Sequence, residues 1–191
     1  MTAVTFSRLP GYRGAELALD IDPAEHERRR PFRQRHIDSP DVLDLLMALP
    51  VGEAVPYQNL TARQQDAVRR APAGALDLGV PWADDHMVAR LAVRPCRVTM
   101  ATIRSATACA TALGSASRFA PFCTRQVIVR RRPKLPETLI EYGFWGVGLL
   151  LDHGDGDLET LVAPTPWRPM RHTVAGWRFA ETAYAAHLDA T

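Results

Sequence analysis

The hydrophobic pattern of the chain begins with the alternation that is typical of β-strands. Residues 15–21 alternate apolar and polar side chains at a period of two, and another apolar stretch, residues 4–9, precedes them. The two stretches flank Pro10–Gly14, which is rich in turn-forming residues. The chain is therefore predicted to open with a β-hairpin.

Three helix starts follow the hairpin, and each is marked by residues that cap helices. Asp22-Pro23 and Ser39-Pro40 combine an N-cap residue with a proline at the first helical position. Thr61 and Gln64 have the spacing of a capping box. The first predicted helix ends before Pro31, the second covers residues 41–49 and the third covers residues 62–71.

Helical spacing of apolar residues recurs further along the chain. Residues 82–93 are predicted as a helix, and the alanine-rich residues 105–113 as a short helix that ends at Gly114. A final helix begins near Thr173, and five apolar side chains share one of its faces. These are Val174, Trp177, Ala180, Tyr184 and Leu188.

The second half of the chain otherwise has the composition of strands. Residues 97–104 alternate weakly, and residues 124–131 contain three consecutive β-branched residues. Residues 139–151 form the longest apolar run and are predicted as the strongest strand. A turn rich in glycine and aspartate, residues 152–157, separates this run from residues 158–162, which predicts a second hairpin.

This order of elements predicts an α+β fold with a mainly antiparallel sheet, a helical middle segment and a C-terminal capping helix. With 191 residues, the chain has the size of one domain. A single domain over residues 1–191 is expected, with a weak internal boundary near residue 95.

The composition limits the cellular location of the protein and the chemical state of its cysteines. Hydrophobic residues make up 47% of the chain and charged residues 23%, and no uncharged stretch is long enough to span a bilayer. Since no export signal is recognised, a cytoplasmic location without membrane contact is expected. Cys96, Cys109 and Cys123 lack the spacing of a zinc site or a disulfide framework, so reduced thiols are expected.

Arginine is the most unusual feature of the composition. Of the 23 lysine and arginine residues, Lys134 alone is a lysine, although the net charge of the whole chain is only +2. The arginines cluster, and guanidinium groups bind phosphate and carboxylate with two hydrogen bonds each and stack on flat rings. A compositional bias of the genome explains the same enrichment without any ligand.

Aromatic residues lie close to two of the arginine-containing segments. Tyr142, Phe144 and Trp145 are predicted to lie on a strand beside residues 124–131, where bases would stack on them, unless they are core residues. Trp167–His172 interleaves aromatic and arginine residues on a proline-stiffened segment. The predicted nucleic-acid-binding residues are Arg28, Arg29, Arg30, Arg33, Arg35, Arg125, Arg130, Arg131, Arg132, Lys134, Trp167, Arg168 and Arg171.

Signals for enzymatic chemistry are weaker. There is no nucleophile motif, no phosphate-binding glycine loop and no dinucleotide fingerprint, so no cofactor is predicted. Asp152, Asp155, Asp157 and Glu159 do not have the spacing of an EF-hand, and a tight turn explains their composition, so no metal is predicted. The candidate acid or base residues of an enzyme are Glu141, Asp152, His153 and His172.

Three functional hypotheses follow from these observations. The first is a non-enzymatic, nucleic-acid-binding accessory protein or subunit that uses the arginine clusters, with the choice between DNA and RNA left open. The second is a small enzyme of unknown reaction with its acid and base residues near the hairpin at 139–163. The third is an interaction protein whose arginines meet an acidic protein partner.

Overall fold

The computed structural model describes residues 2–5, 8–9, 12–79, 86–154, 156–169 and 171–190. The chain forms two compact units: residues 1–20, 98–171 and 190–191 belong to the first, and residues 21–97 and 172–189 to the second. The chain passes between the units at residues 20/21, 97/98, 171/172 and 189/190, and the weak boundary near residue 95 remains a prediction. The single domain remains a prediction.

The chain opens with four strands, and helices and strands are interspersed after them. The strands are β1 (Thr2–Thr5), β2 (Arg8–Leu9), β3 (Tyr12–Arg13), β4 (Ala15–Ile21), β5 (Ala54–Pro56), β6 (Leu76–Asp77), β7 (Met87–Arg90), β8 (Cys96–Ser105), β9 (Thr124–Val129), β10 (Gly148–Gly154) and β11 (Asp157–Val162). The helices are α1 (Pro23–Arg29), α2 (Pro40–Ala48), α3 (Ala62–Arg70), α4 (Ala110–Ser117), α5 (Pro136–Phe144) and α6 (Val174–Ala190). Short 3₁₀ turns cover Arg30–Phe32 and Tyr57–Asn59.

The first unit is built on a six-stranded sheet in the order β1-β4-β8-β9-β10-β11. β1 pairs with β4, and β10 with β11, in antiparallel register, so both hairpins are present. The first strand of the first hairpin is Thr2–Thr5 rather than residues 4–9, because Arg8–Leu9 pairs with Tyr12–Arg13 instead. β8, β9 and β10 are parallel to one another, and α4 and α5 make the two crossovers between them. Val127 and Leu149, in the middle of these strands, are completely buried, as expected for parallel strands covered on both faces.

The predicted fold class is confirmed: the chain is α+β, and antiparallel pairs predominate among the described strands. Five pairs are antiparallel: β1–β4, β2–β3, β5–β7, β6–β7 and β10–β11. The parallel centre of the larger sheet is the feature that the sequence pattern did not predict. A parallel pair needs a crossover helix, and the residues of one of these helices were assigned to a strand.

Residues 139–151 are predicted as one strand, and this prediction is wrong for the first half of these residues. α5 occupies Pro136–Phe144, and strand β10 begins only at Gly148. Pro136 stands in the first turn of α5, where a missing N–H costs nothing because the first helical N–H groups have no partner in the helix. A continuous apolar run has no period of its own, so it does not distinguish a helix packed on a sheet from a buried strand.

A glycine ends α5 and starts the turn into β10. Gly146 has a φ of 67°, which is a left-handed backbone conformation that strains other residues. Its N–H donates to the carbonyl of Gly143 at 3.0 Å, and the N–H of Val147 donates to the carbonyl of Tyr142 at 3.0 Å. These two bonds form a Schellman motif, which satisfies carbonyls that the helix end would otherwise leave without donors.

The second unit combines four helices with a three-stranded antiparallel sheet in the order β5-β7-β6. Its core contains Leu43, Leu46 and Val68 from α2 and α3, Val88 from β7 and Trp177 from α6. The N-caps predicted at Asp22, Ser39 and Thr61 all accept hydrogen bonds from their helices. The reciprocal capping box of Thr61 and Gln64 is also present.

The helix predicted over residues 82–93 is wrong where the structure describes it. Residues 87–90 form β7, the central strand of the three, so their backbone groups are satisfied by β5 and β6. Val88 is buried, whereas Leu91 is 41% exposed, so the apolar residues do not share one face. Residues 82–85 lie outside the described residues.

Two smaller predictions concern the remaining helices. α4 covers Ala110–Ser117 rather than residues 105–113, because Ser105 still belongs to β8 and Gly114 lies inside the helix. α6 is present as predicted, with Trp177, Ala180 and Tyr184 buried on its inner face. Among the described residues, no helix combines the length and the apolar composition needed to cross a membrane.

Candidate nucleic-acid interface

Most arginines of the first cluster, Arg28–Arg35, form ion pairs within the second unit. Arg29 is 1% exposed, and its guanidinium donates to Glu25 at 2.7 Å and to both carboxylate oxygens of Glu181 at 2.7 and 2.8 Å. Burial alone would lower the pKa of Arg29, but the hydrogen bonds and charges of Glu181 and Glu25 raise it. Arg29 is therefore placed as a structural cation that a phosphate cannot reach.

The neighbours of Arg29 have acidic partners of their own. Arg28 binds Glu25 at 2.7 Å and also donates to the carbonyl of Gly74. Two exposed pairs follow, Arg30 with Glu27 and Arg35 with Asp189. Arg33 is exposed and has a left-handed φ of 49°, and within the described part of the chain it forms no ion pair.

The second arginine cluster, around β9, is more open. Arg130 and Arg131 follow the end of the strand and are exposed, and Lys134 is exposed as well. Arg132 pairs with Glu159 of β11, and this ion pair weakens the attraction of Arg132 for other anions. Arg125, at the other end of β9, is half-buried, and burial lowers its pKa.

Three chain segments meet around Arg125 at the amino end of β9. The Arg125 Nη2 donates to the carbonyl of Trp145 at 2.8 Å. The backbone N–H of Trp167 donates to the Thr124 hydroxyl at 2.9 Å. We call Arg125, Phe144, Trp145 and Trp167 the amino-end surface. It joins two candidate segments that lie twenty or more residues apart in the sequence.

Exposed aromatic rings distinguish the amino-end surface from the other residues of the first unit whose exposure is described. Phe144 is 81% exposed and Trp145 is 54% exposed, and their rings meet edge to face with centroids 5.4 Å apart. Tyr142 was expected beside them on the same strand, but it is 1% exposed on the inner side of α5. The helical conformation causes this separation, because residues two apart on a helix point in different directions.

The predicted binding residues of the segment at 167–172 are solvent-accessible. Trp167 is half-buried, and Arg168 and Arg171 are exposed in the first unit. Arg168 follows Trp167 directly, so it adds a cation next to the amino-end surface. His172 belongs to the second unit.

Another basic site lies at the carboxyl ends of the parallel strands. A cavity of about 250 Å³ is lined there by Arg104, Arg130 and Asp152, together with Ser105, Ala106 and Ile128. The Arg104 guanidinium already binds Glu16 at 2.7 Å and approaches Asp152 at 3.6 Å. Arg130 is therefore the cation of this cavity with the most free capacity for an anion.

Sequence reasoning missed Arg104 and the clustering at this edge. Ligands in sheets with parallel strands bind beyond the carboxyl ends of those strands. The signal would have been a strand-helix-strand pattern across residues 124–154, which the assignment of residues 139–151 to a single strand concealed. Arg104 also stands almost alone in its sequence neighbourhood, so no cluster of charges marks it.

The four candidate catalytic residues do not form one constellation. Glu141 is exposed on α5. Asp152 lines the cavity with Arg104 and Arg130, next to a register irregularity of β10 between Asp152 and Gly154. His153 contacts Glu159 at 2.9 Å, in the same exposed group as Arg132. His172 lines a separate cavity within the second unit.

Two acidic residues of the turn at 152–159, Asp152 and Glu159, are engaged by hydrogen bonds and ion pairs. The Asp152 carboxylate accepts from the backbone N–H of Gly154 at 2.9 Å, and Glu159 binds Arg132 and His153. These hydrogen bonds lower the pKa of Glu159, the one from Arg132 being the stronger. Asp155 lies outside the described residues, and no metal-binding group of three or more His, Cys, Asp or Glu side chains occurs among those described.

Comparisons with known proteins give no further assignment. The chain matches no family model, and neither the curated proteins nor the solved structures include a match to it.

Proposed function

We propose that this protein is a non-enzymatic, nucleic-acid-binding accessory protein that binds single-stranded DNA or RNA through the amino-end surface. The observation that carries the proposal is the exposed pair of Phe144 and Trp145 beside Arg125. Large rings that are exposed by half or more of their area are costly to leave in water unless a partner covers them. Bases stack on such rings without sequence preference, and arginine adds phosphate contact.

The electrostatics support a single strand rather than a long duplex. The net charge is +2, and the cluster at Arg28–Arg35 is engaged by Glu25, Glu27, Glu181 and Asp189. Duplex binding without base contacts depends on many unpaired cations along one face. A few exposed arginines combined with aromatic rings match the pattern of single-strand binders better.

The alternative functions have less support. The enzyme hypothesis needs polar groups that converge in one pocket, and Glu141, Asp152, His153 and His172 do not converge. The acidic-partner hypothesis uses the arginines in general, and in the cluster Arg28–Arg35 four of them, Arg28, Arg29, Arg30 and Arg35, already have acidic partners within the chain. A cytoplasmic location stays part of the proposal, and Cys96, Cys109 and Cys123 form no disulfide, which suits a reducing compartment.

The test is the affinity for labelled oligothymidylate and oligouridylate, measured by fluorescence anisotropy at low salt. Phe144→Ala and Trp145→Ala should each weaken binding by about 5- to 150-fold, the range that corresponds to about 1–3 kcal/mol for one stacked base. The melting temperatures should stay close to that of the unmodified protein, because both rings are exposed.

Ile140→Ala is the matched control. Ile140 is 71% exposed on the same helix but has no aromatic ring, so its loss should leave the affinity unchanged. Quenching of Trp145 fluorescence by the oligonucleotide, absent in Trp145→Ala, would identify the ring in contact. The proposal is wrong if neither oligonucleotide binds, or if both aromatic variants bind as tightly as the unmodified protein.

A further inference from the structure

A cavity within the second unit contains two arginines that are not engaged by carboxylates. Its volume is about 280 Å³, and Met47, Arg90, Arg94, His172 and Trp177 line it. All five residues belong to the second unit. The lining of the cavity is therefore cationic where the two guanidinium groups stand and apolar where the Met47 thioether and the Trp177 indole stand.

Arg94 is the first reason to expect an anion in this cavity. It is half-buried, and within the described part of the chain it makes no hydrogen bond or ion pair. Burial lowers its pKa, and the charges of Cys96 and Glu181 oppose this only in part. Removing a guanidinium from water without giving it a partner is costly, so a group that neutralises it would be strongly favoured.

The position of Arg94 relative to α6 strengthens this argument. Its Nη2 lies 3.9 Å from the point where a Cβ would stand on Gly176, in the first turn of α6. The N-terminal end of a helix carries a partial positive charge, and the first turn of α6 contains no acidic residue. A cation held beside this end is repelled, whereas an anion between the two would be attracted by both.

Arg90 supplies the second guanidinium. Its Nε and Nη1 donate to the carbonyls of Ala92 at 2.8 Å and Leu49 at 3.3 Å, and its Cζ lies 4.8 Å from the centroid of a Trp177 ring. These contacts fix the plane of the guanidinium and leave donors available. Burial lowers the pKa of Arg90, although the charge of Glu25 opposes this.

The carboxylates nearby are already occupied. Glu25 accepts from Arg28 and Arg29, and Glu181 accepts from Arg29, from the Trp177 indole N–H at 2.9 Å and from the backbone N–H of Ile37 at 3.0 Å. Neither has capacity left to pair with Arg90 or Arg94. Among the described residues, no carboxylate forms a direct ion pair with either arginine of the cavity.

We propose that this cavity is a binding site for a small organic anion, a carboxylate or phosphate monoester on a small flat or apolar body, whose oxyanion is bound by Arg90 and Arg94. Guanidinium groups recognise such oxyanions with paired hydrogen bonds. The Met47 side chain gives the cavity an apolar surface that the body of the ligand would contact. The Trp177 ring, over which the Arg90 guanidinium lies, also lines the cavity. The volume admits a molecule of about the size of benzoate, and a polymer such as nucleic acid does not fit inside it.

The test uses isothermal titration calorimetry with benzoate and phenyl phosphate as probes. Benzamide, which has the same ring without the charge, and inorganic phosphate, which has the charge without the ring, are the comparison ligands. One or both aromatic anions should bind to the unmodified protein, and tighter than benzamide and inorganic phosphate by at least about tenfold, since a charged hydrogen bond contributes at this level. This comparison needs no variant, so it holds even if a substitution prevents folding.

Arg94→Gln should weaken binding of the aromatic anions by at least about tenfold, while Arg178→Gln should leave it unchanged. Arg178 is a matched control, because it lies on α6 in the same unit but is exposed and pairs with Asp38 at 3.2 Å. The proposal is overturned if no aromatic anion binds at about 10 mM, the weak end of specific affinities. It is equally overturned if benzamide binds as tightly as benzoate, or if a folded Arg94→Gln protein keeps the affinity.

Discussion

At the scale of single residues, Arg29 is the clearest case of a charge that serves the fold. It is 1% exposed and joins Glu25 of α1 to Glu181 of α6, and both carboxylates are also buried. Arg29→Ala would leave two buried carboxylates without their shared cation. We expect a loss of about 3–5 kcal/mol in the free energy of unfolding, measured by urea denaturation. Arg30→Ala is the control and should cost less than about 1 kcal/mol, because the pair with Glu27 is exposed. Equal losses in the two variants would show that the network does not stabilise the second unit.

At the scale of elements, α6 determines whether the second unit has a complete core. Trp177 is 3% exposed, packs in the apolar core with α2 and α3, and donates its indole N–H to Glu181. Trp177→Ala should therefore destabilise the protein by about 3–5 kcal/mol, the usual cost of truncating a buried aromatic residue. Chemical denaturation measures this loss. Ala175→Gly, at an exposed position of the same helix, should cost only about 1 kcal/mol through helix propensity. A Trp177→Ala protein that unfolds at the same denaturant concentration as the unmodified chain would contradict the assignment of α6 to the core.

At the scale of the whole molecule, the distribution of charge predicts how salt affects nucleic-acid binding. Each phosphate contact on a single strand contributes about −0.7 to the slope of log affinity against log salt concentration. Replacing Arg130 and Arg131 with alanine should flatten the slope by roughly 1.4 units if the bound strand extends from the amino-end surface along β9 and both arginines contact phosphate at its other end, where both are exposed. Replacing Arg30 and Arg35 should leave the slope unchanged, since their acidic partners Glu27 and Asp189 already neutralise them. A salt series of binding curves decides between these outcomes, and equal flattening in both double variants would contradict the division between the clusters.

Local signals in the sequence were sufficient for much of the secondary structure. The caps at Asp22, Ser39 and Thr61 predicted α1, α2 and α3 because a cap depends on residues only three positions apart. The two antiparallel hairpins and the apolar face of α6 were predicted for the same reason, since their partners are near in sequence or share one helix face. The local composition also located arginine segments and the aromatic residues Phe144, Trp145 and Trp167.

Only the tertiary structure decided which of these residues meet and which charges remain available. The apolar run at 139–151 has no period, so the role of α5 as the crossover that connects the parallel strands β9 and β10, rather than the run itself, made its first half helical. Arg29 and Arg131 look alike in the sequence, but one is buried between Glu25 and Glu181 and the other is exposed. Glu181 lies 152 positions from Arg29, and no local pattern carries information over that distance. The sequence alone determined the capped starts of α1, α2 and α3, the apolar face of α6 and the positions of the basic segments, because these depend on residues close together in the chain. Long-range packing and ion pairing decided which arginines can still bind a ligand.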